Sequence, residues 1–279
     1  MSTPPRAPAA PKRFWADLST AEFAGLDFAR TIAVLPVAAT EQHGPHLPLD
    51  VDTQLVDGVV QAALAHLDLG LPVLFLPTQA VGLSPEHTGF AGTLTLKAAT
   101  VIQLWTEIAE SVERSGVKKM VLLNSHGGQV GVLDIVGRDL RARLGMLVYS
   151  VNWFNLPLGD AVDGLFSAQE HRFGIHGGDI ETSMMLALAP HKVDMARAQD
   201  FASSSQQRAQ QFPILGNGRS AKLAWQTQDY NPAGAVGNAA AATADKGRAV
   251  LDAAGRALAQ LLAEIDALPA ATLVPPTLK

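Results

Sequence analysis

Residues 31–52 read TIAVLPVAATEQHGPHLPLDVD, an apolar run followed by a short polar segment. The run Thr31–Ala38 is rich in Val, Leu and Ile without a clean polar alternation, which is typical of a strand covered on both faces. The segment from Asp52 to Leu67 then places apolar residues at helical spacing. A buried strand that leads through a loop into a helix is the first part of a βαβ unit.

The same alternation of strand and helix continues along the chain. The spacing predicts further strands over 72–76, 119–123 and 146–151, and helices over 96–115, 130–144, about 179–189 and 239–268. We therefore predict an α/β fold, a three-layer αβα sandwich with a central, mostly parallel sheet. Residues 1–13 are expected to be a flexible N-terminus, and residues 14–279 a single domain.

Composition narrows the possible partners. The 279 residues carry 26 acidic and 21 basic side chains, a formal net charge of −5, so we expect no nucleic acid partner. There is no cysteine, so a metal would have to bind His, Asp or Glu. The longest apolar stretches are strand-sized, and residues 1–13 lack a signal-length apolar run. We expect a cytoplasmic protein without membrane contact.

The polar segment after the first strand carries the strongest functional signal. Residues Thr40–Asp52 contain five candidate ligands, namely Glu41, His43, His46, Asp50 and Asp52. The segment falls at the carboxyl end of a predicted parallel strand, where open α/β sheets bind ligands. Carboxylates with imidazoles suit a divalent ion such as zinc or manganese. The alternative is a solvated turn, and His46 is the weakest candidate because it could only orient a ligand or pack at the site wall.

Two later segments repeat this placement. NSHGGQ, residues 124–129, follows another predicted strand and offers His126 as a ligand, although a glycine-rich turn alone would look the same. HGGDIETS, residues 176–183, begins a helix and brings His176 near Glu181. A first-turn glutamate is also common as a simple helix-stabilising charge. A histidine near a metal can protonate a leaving amine, which is the general-acid step of amide hydrolysis.

Three weaker features remain open. SPEHTGFAGT, residues 84–93, is either a loop of the site, through Glu86 and His87, or an ordinary polar connection. Trp153 would line a flap over the site or a subunit contact. Residues 198–237 show little periodicity, so they form a surface excursion or are ordered by a neighbouring subunit.

In this order and spacing, TEQHGPHLPLDVD, NSHGGQ and HGGDIETSMMLAL resemble the signature blocks of the creatininase (creatinine amidohydrolase) family, and SPEHTGFAGT resembles its pocket loop. The resemblance covers roughly residues 30–190. It implies an α/β fold with a binuclear metal centre at the C-terminal edge of the sheet. It also implies a homo-oligomer, often a hexamer in this family.

The resemblance also implies a role for individual residues. It assigns Glu41 and His126 to one metal and His43 to the other, with Asp52 bridging the two. It also implies a metal-bridged hydroxide as the nucleophile and His176 as the catalytic histidine that transfers the proton. Creatininases proper have Tyr-Glu after the second-block histidine, where this chain has Gly127 and Gly128. Glu181 is the natural replacement for that glutamate. We expect two divalent ions per chain, zinc first, with manganese or iron as alternatives.

A second departure concerns the substrate. Arg172 and Ile175 stand where creatininases proper carry Trp and Glu, so creatinine is not the expected main substrate. Trp153 resembles the flap tryptophan of the family, and Arg172 could pair with a substrate carboxylate or phosphate. We predict a metal-dependent amidohydrolase that cleaves a non-peptide C–N bond of a small cyclic or linear amide. The alternatives are a precursor-peptide peptidase of the same family and a non-catalytic metal-binding protein.

Overall fold

The computed structural model describes residues 11–275 and contains a parallel four-stranded sheet in the order β2-β1-β3-β4. Ile32 lies beside Val73 on one side and beside Lys119 on the other, and Lys119 lies beside Leu147. The strands are β1 (Ile32–Val37), β2 (Val73–Phe75), β3 (Lys119–Asn124) and β4 (Leu147–Asn152), and a separate antiparallel pair joins β5 (Asp200–Phe201) to β6 (Gly237–Asn238). All four predicted strands are confirmed within a residue or two.

Helices follow the strands as the periodicity predicts. They are α1 (Thr20–Ala24), α2 (Val51–Leu64), α3 (Ala98–Arg114), α4 (Val130–Leu144), α5 (Asp160–Asp163), α6 (Ala168–Phe173), α7 (Asp179–Leu188), α8 (Ser205–Gln211) and α9 (Ala244–Ala267). The last helix begins later than predicted, because Thr243 is extended and its hydroxyl caps the helix by accepting from the backbone N–H of Lys246 at 3.3 Å.

The sheet is covered on both faces, which confirms the three-layer αβα architecture. Ile32 and Val34 of β1 pack into one core with α2, α7 and α9. Ala33, Leu35 and Val37 point the other way, into a core with α3 and α4. Since all these strand residues are buried, β1 needs apolar side chains at every position, as its sequence has.

The N-terminal residues that the structure describes are attached to the rest of the fold. Most of the predicted flexible segment, residues 1–10, lies outside the described residues. Arg13 is bound to the body of the protein, because its carbonyl accepts from the backbone N–H of Phe75 at 2.8 Å and its guanidinium donates to the carbonyl of Asp68 at 2.6 Å. Within residues 11–275 there is no helix with the length and apolarity needed to cross a membrane.

The segment of low periodicity, residues 198–237, makes contacts with other parts of its own chain. It contains β5 and α8 and then returns to the C-terminal edge of the main sheet. There Val236 forms an antiparallel bridge with His176. The segment therefore forms part of the surroundings of the predicted site.

Candidate metal centre

The predicted ligands converge at the C-terminal edge of the sheet. The loop after β1 supplies Glu41 and His43 and turns back on itself, with the backbone N–H of Glu41 donating to the carbonyl of Leu49 at 3.0 Å. Asp52 follows in the first turn of α2, and His126 comes directly after β3. Because β1 and β3 are parallel neighbours, their ends bring these side chains together.

The segment HGGDIETS, residues 176–183, adds His176 and Glu181 to the cluster. The bridge to Val236 fixes His176, and Glu181 lies in the first turn of α7. A carboxylate oxygen of Glu181 accepts from the backbone N–H of Gly177 at 2.6 Å. The same oxygen, Oε2, lies 3.9 Å from His43 Nε2.

The described residues contain three sets of three possible ligands. One set joins Glu41 and His43 to His176, and the other two share the carboxylate of Asp52. In the first triad, His126 Nδ1 is 3.1 Å from Glu41 Oε1 and 3.5 Å from Asp52 Oδ2. In the second triad, His43 Nε2 is 3.5 Å from Asp52 Oδ1 and 3.9 Å from Glu181 Oε2. Within each triad all ligand atoms lie within 4.8 Å of one another. Asp52 thus offers one oxygen to each triad, as a bridging ligand would.

Several inward atoms of the cluster are unsatisfied in a way that fits cations. Glu41 Oε1, His43 Nε2 and Asp52 Oδ2 are buried and find no hydrogen-bond partner among residues 11–275. Buried polar atoms normally have partners, and leaving one unmade costs about 1–3 kcal/mol. Carboxylate oxygens and an imidazole nitrogen are ligands for zinc or manganese. The residues therefore fit divalent metal ions.

The histidines are oriented from outside the cluster in the way that metal ligands usually are. The Nδ1–H of His43 donates to the carbonyl of Glu41 at 3.0 Å, and the Nε2–H of His126 donates to the carbonyl of Leu83 at 3.1 Å. The Nε2–H of His176 donates to the carbonyl of Gln42 at 2.6 Å. In the neutral ring, which is the form that binds a metal ion, each outward hydrogen leaves an unprotonated nitrogen facing the centre.

Burial and mutual interaction displace the pKa values across the cluster. Burial opposes a charge on His126, but the neighbouring carboxylate of Glu41 raises the pKa of His126 well above its usual range. Burial likewise opposes a charge on His43, while Asp52 raises the pKa of His43 to about 9. Burial raises the pKa of Glu181 to about 7, and burial with nearby Glu41 raises that of Asp52. Crowded carboxylates of this kind are stabilised by a positive ion.

The segment SPEHTGFAGT, residues 84–93, contacts the same cluster through Glu86 and His87. Glu86 Oε1 lies 3.2 Å from His126 Nε2, and His87 Nε2 lies 3.4 Å from Glu41 Oε1. Both side chains are buried. Burial lowers the pKa of His87 to about 4, so this ring is neutral near pH 7.

Gly128 marks the closest approach between two of the motifs. A Cβ at this position would overlap the Glu86 carboxylate and lie 2.5 Å from His126 Nε2. The neighbouring Gly127 has open space on its Cβ side among the residues described. Glu86 therefore occupies the volume that a side chain on residue 128 would need.

Other predicted residues lie away from the two triads. Trp153 is buried, and its indole N–H donates to Ser125 Oγ at 3.0 Å. Its contact with substrate remains a prediction. Arg172 is exposed and, with Asn217, Gly218 and Arg219, lines an open cavity of about 580 Å³.

The remaining polar candidates of the first motif support the loop. His46 is buried, and its Nε2 is 3.0 Å from Thr182 Oγ1, which matches the prediction of a wall or orienting residue. Asp50 forms an ion pair with Lys192 at 2.6 Å. Neither residue belongs to the triads.

Sequence reasoning missed three residues that touch the centre. The hydroxyl of Ser84 donates to Glu41 Oε2, Thr227 Oγ1 lies 2.9 Å from His87 Nδ1, and Gln42 contacts both His87 and Gly234. Gln42 lies between two predicted ligands, and that position was a usable signal. Thr227 lies in the segment of low periodicity, residues 198–237, whose sequence gives no signal of a functional residue.

A family model and several known proteins match this chain. A model of the creatininase family, described as creatinine amidohydrolase, matches residues 16–262. The mycofactocin precursor peptide peptidase of Mycobacterium tuberculosis is 34% identical over 172 residues, which cover 59% of this chain and 61% of that protein. This match thus spans less than two thirds of the relative's length.

Two longer matches extend the comparison. The peptidase of the same name from Mycobacterium ulcerans is 31% identical over 223 residues, 78% of each chain. The creatinine amidohydrolase of Pseudomonas putida is 27% identical over 246 residues, 84% of this chain and 89% of that protein.

Solved structures show the same fold. A crystal structure of creatininase superposes with a TM-score of 0.73 at 25% identity, covering 92% of this chain and 98% of that one. Two further creatininase structures with TM-scores of 0.73 and 0.72 are named for manganese and for a Zn–Zn type, respectively.

Proposed function

Because this chain belongs to the creatininase family, we propose that it is a metal-dependent amidohydrolase that cleaves a non-peptide C–N bond of a small cyclic or linear amide or formamide. The observation that carries the proposal is the pair of triads that share Asp52. They offer three carboxylates and two imidazoles in a buried volume at the sheet edge.

The ligand sets suggest two divalent ions per chain. Glu41 and His126 would hold one ion and His43 and Glu181 the other, with Asp52 between them. Zinc is the first candidate, and manganese and iron are the alternatives. Bound ions would polarise the substrate carbonyl and acidify water near neutrality.

The residues of the chain supply the proton transfer. His176 turns its unprotonated Nδ1 toward Glu41 Oε1, at 3.8 Å, because its Nε2–H is used by the carbonyl of Gln42. We assign to this nitrogen the proton that leaves the attacking water and then reaches the departing nitrogen as the C–N bond breaks. Burial among other histidines lowers the pKa of His176 well below its usual value, so the free ring is neutral and able to accept.

Metal content tests the two-ion proposal. Untagged protein purified without chelator should contain two ions of zinc, manganese or iron per chain, and Glu181→Ala should contain about one. Glu264→Ala, an exposed glutamate of α9, is the matched control and should keep two. Fewer than two ions in the wild type after metal addition would contradict the two-ion proposal and favour a metal-binding protein without hydrolytic activity.

A peptidase is the second candidate, because the mycobacterial relatives are named for cleavage of a precursor peptide. Turnover measured on small cyclic amides, linear amides and formamides, and in parallel on short peptides, distinguishes an amidohydrolase from a peptidase. Turnover confined to peptides would replace the amidohydrolase proposal, and no turnover of either class with metal bound would leave the non-catalytic one.

We also propose that the chain works as a cytoplasmic homo-oligomer on a small-molecule substrate, with a hexamer as the assembly suggested by the family resemblance. Light scattering of the purified protein tests the assembly directly. A monomer at micromolar concentration would contradict it.

A further inference from the structure

Four buried histidines surround the candidate metal centre, and one of them is held differently from the others. His43, His126 and His176 each donate their outer N–H to a backbone carbonyl. The outer nitrogen of His87, Nδ1, instead lies 2.7 Å from the amide nitrogen of Gln42 and 2.9 Å from Thr227 Oγ1. Whether His87 Nε2 carries a hydrogen toward the centre therefore depends on whether Gln42 and Thr227 donate to Nδ1 or accept from it.

The amide of Gln42 is fixed in one orientation by backbone groups on both sides. Its Oε1 accepts from the backbone N–H of Gly44 at 2.9 Å, and its Nε2 donates to the carbonyl of Gly234 at 2.8 Å. Exchanging oxygen and nitrogen would lose both bonds. The second hydrogen of Nε2 is then directed at His87 Nδ1.

This orientation decides the tautomer of His87. Because Nδ1 accepts a hydrogen bond, it carries no hydrogen, and the hydrogen of the neutral ring is on Nε2. A rival arrangement, in which Nδ1–H donates to Thr227, would place two hydrogens between Nδ1 and Gln42 Nε2, which are only 2.7 Å apart. The hydroxyl of Thr227 donates to the carbonyl of Glu86 at 3.0 Å, so the amide of Gln42 is the group that supplies a hydrogen to Nδ1.

His87 thus turns an N–H toward the centre, whereas the other three rings turn an unprotonated nitrogen toward it. The nearest acceptor is Glu41 Oε1 at 3.4 Å, and that oxygen forms no hydrogen bond with any residue between 11 and 275. We propose that His87 Nε2–H donates a hydrogen bond to the carbonyl oxygen of the substrate, and that Gln42 is the positioning residue that fixes this tautomer. The inference rests on the proposed hydrolytic function.

His176 and His87 then have complementary roles in the reaction. As water forms the new C–O bond, its proton passes to His176 Nδ1, and negative charge grows on the carbonyl oxygen beside His87. As the C–N bond breaks, the same proton passes to the departing nitrogen and the charge returns from the oxygen. His87 keeps its hydrogen throughout, as a fixed donor to a developing negative charge does.

Ring-nitrogen NMR of the zinc-loaded protein, labelled with ¹⁵N-histidine, tests the tautomer without any substrate. In the wild type both His87 and His176 should be protonated on Nε2, with the signals assigned by loss in His87→Asn and His176→Asn. In Gln42→Glu, the ionised carboxylate offers only lone pairs to His87, so above the pKa of the new carboxyl group the ring of His87 should change to the Nδ1–H form. His176 should not change, because its partner is the backbone carbonyl of residue 42.

Kinetics test the donor role, with the amide that the substrate panel identifies. Glutamine at position 87 can place an amide N–H near the original Nε2, whereas asparagine cannot reach that far. We expect His87→Asn to lower kcat by about 100- to 1,000-fold, as removal of one such donor usually does. His87→Gln should restore part of that loss, and both variants should keep two metal ions.

The outcomes separate this inference from the proposed function. An Nδ1–H form of His87 in the wild type, or equal kcat losses in the Asn and Gln variants, would overturn the donor role while hydrolysis stands. Wild-type kcat in His87→Asn would do the same. Absence of turnover on any amide would remove the hydrolytic function, and with it the donor role, while the NMR result would still decide the tautomer.

Discussion

The two triads share Asp52 but are held by different parts of the fold. Glu41 and His126 lie on loops that leave β1 and β3, whose ends are fixed in register by the pairing of Val37 with Asn124. The second triad depends on Glu181, which belongs to α7 and keeps 20% of its side chain exposed. The first triad is built by the sheet, whereas the second requires a helix to dock against it.

This difference predicts unequal affinities for metal. A ligand set on a rigid scaffold loses little freedom on binding, whereas a set completed by a partly exposed glutamate must order that side chain. We expect the ion of the second triad to exchange first. Substitutions that act on one triad, or on both, test this inequality.

Removal of the shared ligand should have the largest effect. Asp52→Asn replaces the carboxylate oxygen of one triad by an amide NH₂, which is not a metal ligand. It leaves a neutral amide oxygen in the other triad, which is a weaker ligand than a carboxylate. Both ions should therefore be bound poorly. Loss of a residue that only supports a ligand costs about 10- to 100-fold in affinity or activity, so loss of the bridge should cost at least about 100-fold. Metal analysis and turnover measure this, with circular dichroism to show an intact fold. Turnover above a few per cent of wild type would contradict the bridging role.

Gly128→Ala should damage the first triad selectively. The new Cβ would overlap the Glu86 carboxylate and press on His126, which forces both side chains to shift. Overpacking of this kind costs about 1–3 kcal/mol in unfolding free energy. Urea unfolding and metal analysis should show a less stable protein that has lost affinity at the first triad.

Gly127→Ala is the matched control, since its Cβ would meet open space in the described structure. Its unfolding free energy should stay within about 0.5 kcal/mol of wild type. Equal losses in the two alanine variants would show that the loop, and not the contact with Glu86, sets the effect.

Glu170→Gln should have the smallest effect and act on the second triad alone. The buried carboxylate of Glu170 accepts from the backbone N–H groups of Asp179, at the start of α7, and of Asn238, in β6. An amide side chain has one acceptor oxygen, so one of these bonds is lost, at a cost of about 1–3 kcal/mol. Glu181, two residues after Asp179 in the first turn of α7, should then hold its ion less tightly.

A chelator competition measures this loss, because it reports the two ions as separate release phases. We expect faster release of one ion in Glu170→Gln and unchanged release of the other. Gln169 is exposed and lies next to Glu170 on α6, so Gln169→Ala should release both ions as the wild type does. Faster release of both ions would mean that the two triads are not held independently.

Much of this arrangement could be predicted because it follows local rules. The Val- and Leu-rich run before Glu41 identifies a doubly covered strand, and the end of such a strand identifies the site. Helix α4 has the predicted bounds because Gly145 stops it in a left-handed conformation at φ 66°. Motif spacing, together with the family resemblance, gave the residues of both triads.

What could not be predicted depends on contacts between distant segments. Thr227 and Glu170 have no periodicity or motif around them, and each is important only because folding brings it to another element. The orientation of Gln42 depends on Gly234, far along the chain. The buried position of Trp153 likewise depends on its bond to Ser125 across neighbouring loops.

The bridge between His176 and Val236 has a consequence for the order of folding events. The first triad closes a loop of 85 residues, from Glu41 to His126, whereas the second closes one of 138 residues, from His43 to Glu181. The segment that holds His176 beside Glu181 arrives sixty residues after His176. Long-range closures of this kind form late, because their loop entropy is spent before the contact is gained. Uptake of the second ion during refolding should therefore lag behind formation of the sheet, and its rate can serve as a clock for the completion of the native state.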